Sequence, residues 1–184
     1  LSGNYQKKCI EGSKFLSSLD QDWNSLVSSV GPCKLNLSIE LEPYQALIKS
    51  VIFQQLRPAS ATAIFNKFKQ NFDNNFPTEE KILASPESKI KESGLSFNKS
   101  KTIIEIARHV QKGELENRQD FLIMNDSQII EKLTKIKGIG EWTAQMLMIF
   151  NLGKLDVFPA GDFALRKNYS LFKSIASPLT MREL

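Results

Sequence analysis

The chain has 184 residues, 41% of them apolar and 9% aromatic, with 24 Lys and Arg against 20 Asp and Glu for a net charge of +4. That content suits one packed domain, and the longest apolar run, Met146 to Phe150, falls far short of the roughly 18 residues that a membrane span needs. Two cysteines, Cys9 and Cys33, and the single His109 match no zinc or iron–sulfur spacing and leave Ser-His-Asp chemistry poorly supported, so any chemistry is expected to rest on carboxylates, aromatics and backbone.

The first residues, Leu1 to Tyr5, carry neither an initiator Met nor a basic-then-apolar leader, and both ends of the chain are expected to be incomplete. Helical spacing dominates, no alternating run bounded by hairpin turns stands out, and the spacing predicts an all-α protein. Pro43 opens a helix over residues 43 to 56, with Tyr44, Leu47, Ile48, Val51 and Ile52 as its buried stripe, and Pro58 interrupts the pattern. A second helix is expected from near Ser60, carrying Ala63, Ile64 and Phe68, before a polar break around Pro77. Short helices follow over residues 79 to 83 and 86 to 92, the latter closed by Gly94. Residues 99 to 110 form an amphipathic helix with His109 at its surface or at an interface. Asn125, Asp126 and Ser127 offer capping oxygens for a helix with Ile129, Ile130, Leu133 and Ile136 on its apolar stripe. Helices joined by short polar breaks, without repeats or a long linker, predict one domain over residues 1–184 with two helical lobes and a cleft between them.

The most informative segment is Lys135-Ile136-Lys137-Gly138-Ile139-Gly140-Glu141-Trp142-Thr143-Ala144, a turn of two glycines around one apolar residue between two helices. Such a turn can aim successive amide N–H groups outward at the mouth of a helix, where the dipole favours an anion. Ile139 would anchor it in the core, and Lys135 and Lys137 flank it with positive charge. Taken alone, glycines that cap one helix and open the next account for these residues equally well. The charge is placed unevenly, however: residues 132 to 184 hold eight Lys and Arg against four acids, while the first 131 hold sixteen of each.

The whole string resembles the helix-hairpin-helix element of DNA repair proteins, with Lys137 in the usual proline place. The resemblance continues at Asp156-Val157-Phe158-Pro159-Ala160-Gly161-Asp162-Phe163-Ala164-Leu165, which is similar to the Gly- and Pro-rich loop of the helix-hairpin-helix DNA glycosylase superfamily. Phe53-Gln54-Gln55-Leu56, Gly94-Leu95-Ser96 and Met124-Asn125-Asp126 extend it to roughly residues 40 to 170, and it looks most like the 3-methyladenine DNA glycosylases of the AlkA and Mag type. The hairpin then spans residues 127–150 and a catalytic loop residues 156–167. The family normally continues into a C-terminal helix that completes the base pocket, and this chain stops at Leu184.

The resemblance implies a role for each of these residues. Asp162 occupies the place of the family's essential aspartate, whose carboxylate stabilises a cation-like sugar and orients water as the C–N bond breaks. Alone, Asp162 reads as a helix cap before Phe163, while Asp156 reads as surface. Trp142 stands where strand-cutting relatives carry a Schiff-base lysine, which implies hydrolysis without strand cleavage. Trp142, Phe53 and Met146 are the expected base pocket, the indole offering its π face to a methylated purine, although core packing explains a tryptophan too. Extruding the base leaves a gap in the stack, and Gln54, Gln55 and Leu56, Gln55 first among them, are the expected wedge. Lys135, Lys137, Gly138, Ile139, Gly140 and Thr143 are the expected phosphate contacts, with Arg57 and Lys173 as weaker ones.

These features predict a DNA glycosylase for alkylated purines, acting on double-stranded DNA as a monomer inside the cell, in a bacterial cytoplasm or a nucleus, with no membrane role. No cofactor is required, although hairpin carbonyls can hold a monovalent cation beside phosphate. The alternatives are a noncatalytic helix-hairpin-helix DNA-binding module and a glycosylase for oxidised or deaminated bases.

Overall fold

The computed structural model describes residues 2–183, and every regular element among them is helical. Two compact units emerge, one formed by Ser38–Val157 and the other by the two ends of the chain, Leu1–Leu37 with Phe158–Leu184. The unit of the ends begins with α1 (Ser2–Ser17) and α2 (Gln21–Val30), which pack on each other. Asp20 caps α2 by accepting the Trp23 N–H at 2.8 Å. Neither helix is foreshadowed by the apolar pattern, and no residue of α2 is buried.

In the central unit, α3 (Pro43–Phe53) buries Leu47, Ile48, Val51 and Ile52 of the expected stripe and leaves Tyr44 half-buried, but stops at Phe53 because Gln55 turns left-handed at φ +55. Pro58 itself opens α4 (Pro58–Gln70), two residues before the expected start near Ser60, since a proline in the first helical turn forfeits no hydrogen bond. Next come α5 (Glu79–Ala84), α6 (Glu87–Lys91) and α7 (Phe97–Gln111), the last capped by Ser96. His109 sits half-buried on α7, its Nδ1 2.9 Å from the Glu105 carbonyl oxygen. An unexpected short helix, α8 (Arg118–Ile123), precedes α9 (Asp126–Thr134), where Asn125 and Gln128 form a reciprocal capping box. The unit closes with α10 (Glu141–Leu147), which runs into a π-helical turn, Met148–Leu152. Helix α7 packs against α3, α5 and α6, while α10 packs against α3 and α9. Their shared core includes Leu47, Ile52, Phe68, Ile103, Ile106, Phe121, Ile129, Leu133, Ile139 and Leu147, all from the central unit.

The unit of the ends is completed by α11 (Phe163–Phe172). Trp23 packs on Phe172 with ring centroids 4.8 Å apart, and Lys173 Nζ bridges Asp20 at 2.8 Å and Asp22 at 3.0 Å. The buried Ser170 hydroxyl donates to the Arg166 carbonyl and accepts the Leu179 N–H, each at 3.0 Å, which ties residues after α11 back onto it. Among the described residues no helix is long and apolar enough to cross a membrane.

Candidate functional site

The hairpin between α9 and α10 uses its two glycines differently. Gly138 has φ +94, and a Cβ there would stand 2.0 Å from Oγ1 of Thr102 on α7, so only glycine fits both the turn and the packing. Gly140 is extended, with φ −97 and ψ 173, caps α10, and would place a Cβ in open space. Ile139 is buried as expected, but its amide donates to the Ile136 carbonyl at 3.0 Å. That hydrogen bond corrects the expectation of an unbroken row of outward amides: the Ile139 N–H serves the turn, whereas Gly138 and Gly140 donate theirs to no protein acceptor among the described residues.

The flanking charges also differ. Lys135 reaches back one turn to Glu131 at 3.0 Å, and both groups are exposed. Lys137 is exposed and lines a polar groove with Thr102, Lys101, Glu105, Arg108 and Gly138. Thr143 is buried, and its Oγ1 accepts from Gln54 Nε2 at 2.9 Å. The Thr143 hydroxyl, expected among the phosphate contacts, and the Gln54 amide, expected in the wedge, are thus engaged with each other in this structure. No cluster of His, Cys, Asp or Glu among the described residues suits a metal ion. The turn's own oxygens are backbone carbonyls, the hard donors a monovalent cation takes, and that of Ile136 already accepts the Ile139 amide.

Beyond Phe53 the chain makes a tight turn in which Gln55, exposed, holds φ +55 and Leu56 stays 38% exposed. Lys99 on α7 spans this turn, donating to the carbonyls of Ile52 at 2.9 Å and Gln54 at 2.7 Å. Burial pushes its ammonium below the usual lysine range. Sequence reading missed Lys99, whose register on an amphipathic helix resembles that of any surface lysine.

Beside that turn, within the same unit, a cavity of about 320 Å³ brings together Phe53, Trp142 and Met146, the three residues expected to line a base pocket. Leu41, Lys49, Phe150 and Asn151 line it as well and were not anticipated. Phe150 follows Met146 by four positions, a spacing legible as one helix face. Asn151 is 2% exposed and donates to the carbonyls of Ser38 and Leu41, each at 2.8 Å, so the π turn and residues 38–41 form one wall. Lys49 Nζ lies 6.0 Å from the centroid of the Phe53 ring.

Asp162 belongs to the other unit. It is partly buried at the end of the Pro159-Ala160-Gly161 loop, its own N–H donating to the Pro159 carbonyl at 2.8 Å. Its Oδ1 accepts the Leu165 N–H at 2.8 Å, so the capping geometry is present. Asp156 is exposed, as expected, while Lys173 is committed to Asp20 and Asp22 rather than open to a phosphate.

Residues 48–178 match the HhH-GPD superfamily of base excision DNA repair proteins. The chain belongs to this superfamily. Among relatives of the HhH-GPD chain, the alkylbase DNA glycosidase-like protein mag2 of Schizosaccharomyces pombe is 37% identical over 166 residues, which are 89% of this chain and 78% of that protein. DNA-3-methyladenine glycosylase 1 of the same organism is 40% identical over 156 residues, 84% of this chain and 68% of that one. The solved S. pombe 3-methyladenine DNA glycosylase Mag1 in complex with abasic DNA superposes with a TM-score of 0.88 at 36% identity, covering 94% of this chain and 84% of that one. The helix-hairpin-helix fold expected from Lys135 to Ala144 is therefore the fold found.

Proposed function

We propose that this protein is a monofunctional DNA glycosylase that hydrolyses the N-glycosidic bond of alkylated purines such as 3-methyladenine and 7-methylguanine in double-stranded DNA. The observation that carries this reading is the gathering, in one unit of a base-excision-repair superfamily member, of the Gly138 hairpin, the exposed Gln55–Leu56 turn and the aromatic cavity. At about 320 Å³ the cavity falls at the small end of the roughly 300–1,000 Å³ typical of ligand pockets, as a single base requires.

Each part then has a task. The Gly138 and Gly140 amides, with Lys135 and Lys137, hold backbone phosphate and set register without reading sequence. Gln55 and Leu56 occupy the gap left by the extruded nucleotide. Phe53, Trp142 and Met146 receive the base, the aromatic faces attracting the positive charge that methylation places on a purine. Asp162 stabilises the cation-like sugar as the C–N bond breaks toward the base, and orients the water that adds to the sugar carbon with loss of a proton. With Trp rather than Lys at 142, no amine forms a Schiff base there, and the product is an abasic site in an uncut strand. Methylated purines leave more readily than normal ones, so part of the selectivity is chemical. Such an enzyme works where the DNA is, as a monomer.

The test is base release from methylated duplex DNA by the wild-type protein and by Asp162→Asn. Asparagine caps a helix as well as aspartate does, so α11 stays intact, whereas Asp162→Ala is expected to cost about 1 kcal/mol of stability as well. The expected result is release by wild type alone, with DNA affinity retained by Asp162→Asn. A folded wild-type protein that binds DNA and releases no methylated base would instead favour the noncatalytic binding module or a different lesion.

A further inference from the structure

We infer that Lys99 is a positioning residue for the DNA wedge: by donating to the carbonyls of Ile52 and Gln54, it holds the turn in which Gln55 and Leu56 project. The inference rests on the reading of that turn as the wedge. Helix α3 ends at Phe53 and leaves its last carbonyls without intrahelical partners. Two of the carbonyl groups around that end accept from one ammonium, at 2.9 and 2.7 Å, and that ammonium comes from a different helix, 45 to 47 residues away in sequence. Between these bonds and the exposed Leu56 lies Gln55, a non-glycine residue at φ +55. Such a conformation persists only where the surroundings over-determine it.

Three further features set Lys99 apart from an ordinary surface lysine. Its ammonium is partly desolvated, and it forms no ion pair with any carboxylate among the described residues. It sits in the first turn of α7, where a positive charge is disfavoured by the helix dipole, so neither salt bridging nor dipole complementarity explains it there. On the same turn, Gln54 is anchored a second time through Thr143 Oγ1 on α10. The turn is thus tied at its base to α7 and α10, and Gln55 and Leu56 stand exposed beyond those ties. A wedge must keep its shape while bases unstack around it, and pre-organised anchoring of this kind supplies that rigidity.

The experiment uses the whole chain and a duplex holding a tetrahydrofuran abasic analogue with 2-aminopurine beside it, so that insertion of the wedge changes the fluorescence. Affinity is measured separately on the same duplex. Lys99→Met is expected to bind with little change, because backbone phosphate contacts dominate affinity, yet to lose most of the fluorescence change at saturation. Lys99→Arg, which can donate to the same two carbonyls, is expected to retain it. The inference is overturned if Lys99→Met keeps the wild-type amplitude. It is equally overturned if amplitude, affinity and thermal stability fall together in both variants, the pattern of a merely structural lysine. Should Lys99→Met fail to fold, Lys99→Gln, which keeps an N–H donor of shorter reach, carries the same comparison. The double variant Gln55→Ala/Leu56→Ala isolates the underlying reading: if it leaves the amplitude unchanged, the wedge lies elsewhere.

Discussion

Gly138 takes φ +94 with Oγ1 of Thr102 2.0 Å from where a Cβ would be, so Gly138→Ala meets both backbone strain and a clash. The expected loss is about 2–4 kcal/mol, read as a lower urea midpoint. Thr102→Ala in the same chain should recover part of it by removing the hydroxyl and methyl, leaving the cost of the backbone conformation and of the residue-102 Cβ 3.0 Å away. Gly140→Ser is expected to stay within about 0.5 kcal/mol of wild type, because an extended, uncrowded cap position suits serine. Any loss of DNA affinity in Gly140→Ser then reports on the proposed DNA contact and not on the fold. Two glycines one residue apart are indistinguishable as letters. The left-handed backbone at Gly138 and the packing of Thr102 from α7 separate the one the fold needs from the one it merely accommodates. Thr143 teaches the same point: hydroxyls suit phosphate, and only burial against Gln54 shows that this one faces inward.

The π turn after α10 is held by a small polar cluster that ties it to residues 38–41. Asn151 donates to the Ser38 and Leu41 carbonyls, and Arg118 of α8 donates to the carbonyls of Ile39, Leu41 and Asn151. Asn151→Ala removes two buried hydrogen bonds, while the Leu41 carbonyl keeps Arg118 and the Ser38 carbonyl keeps the Leu41 N–H, for an expected cost of about 1–3 kcal/mol. Thermal unfolding of the variant checks this, and a fluorescent probe bound in the neighbouring cavity should be lost with it. Helices with strong apolar stripes, such as α3, α7 and α9, were legible because burial writes itself into a 3.6-residue period. Helix α8 and the π turn were not, since α8 is short and a π turn shifts the period by one residue. The end of α3 was misplaced for a related reason: Gln55 carries no glycine or proline signal for its left-handed turn.

Every member of the main apolar core lies within Ser38–Val157, so the fragment of residues 38–157 is expected to fold alone, with cooperative unfolding by circular dichroism. Without Asp162 it should release no base. The unit of the ends carries a polar bridge between Lys173 and the two carboxylates Asp20 and Asp22. Its Asp20 carboxyl is held below the usual carboxylate range, first by the hydrogen bond from Lys173, and Lys173 is raised above the usual lysine range by Asp20 and then Asp22. The depressed carboxyl contributes stability that is present above its unfolded pKa and lost as pH falls through the folded one. The raised ammonium contributes stability that is present below its unfolded pKa and lost as pH rises through the folded one. The pair therefore supports this unit between the carboxylate and lysine ranges. Lys173→Met should flatten the acid limb of a melting profile followed by Trp23 fluorescence in a Trp142→Phe background. An unchanged limb would show that the bridge contributes nothing measurable.

From sequence alone came the all-helical class, the hairpin, the apolar stripes and the Asp162 loop, because each is written in local spacing or in a short motif. The tertiary structure alone decided that Gly138 and Gly140 differ and that Gln54 and Thr143 turn toward each other. It alone joined Lys99 to the Gln55 turn and paired the two ends of the chain in one unit. Each of those facts depends on residues far apart in sequence meeting in space, and local periodicity carries no record of which distant side chain will fill a given position.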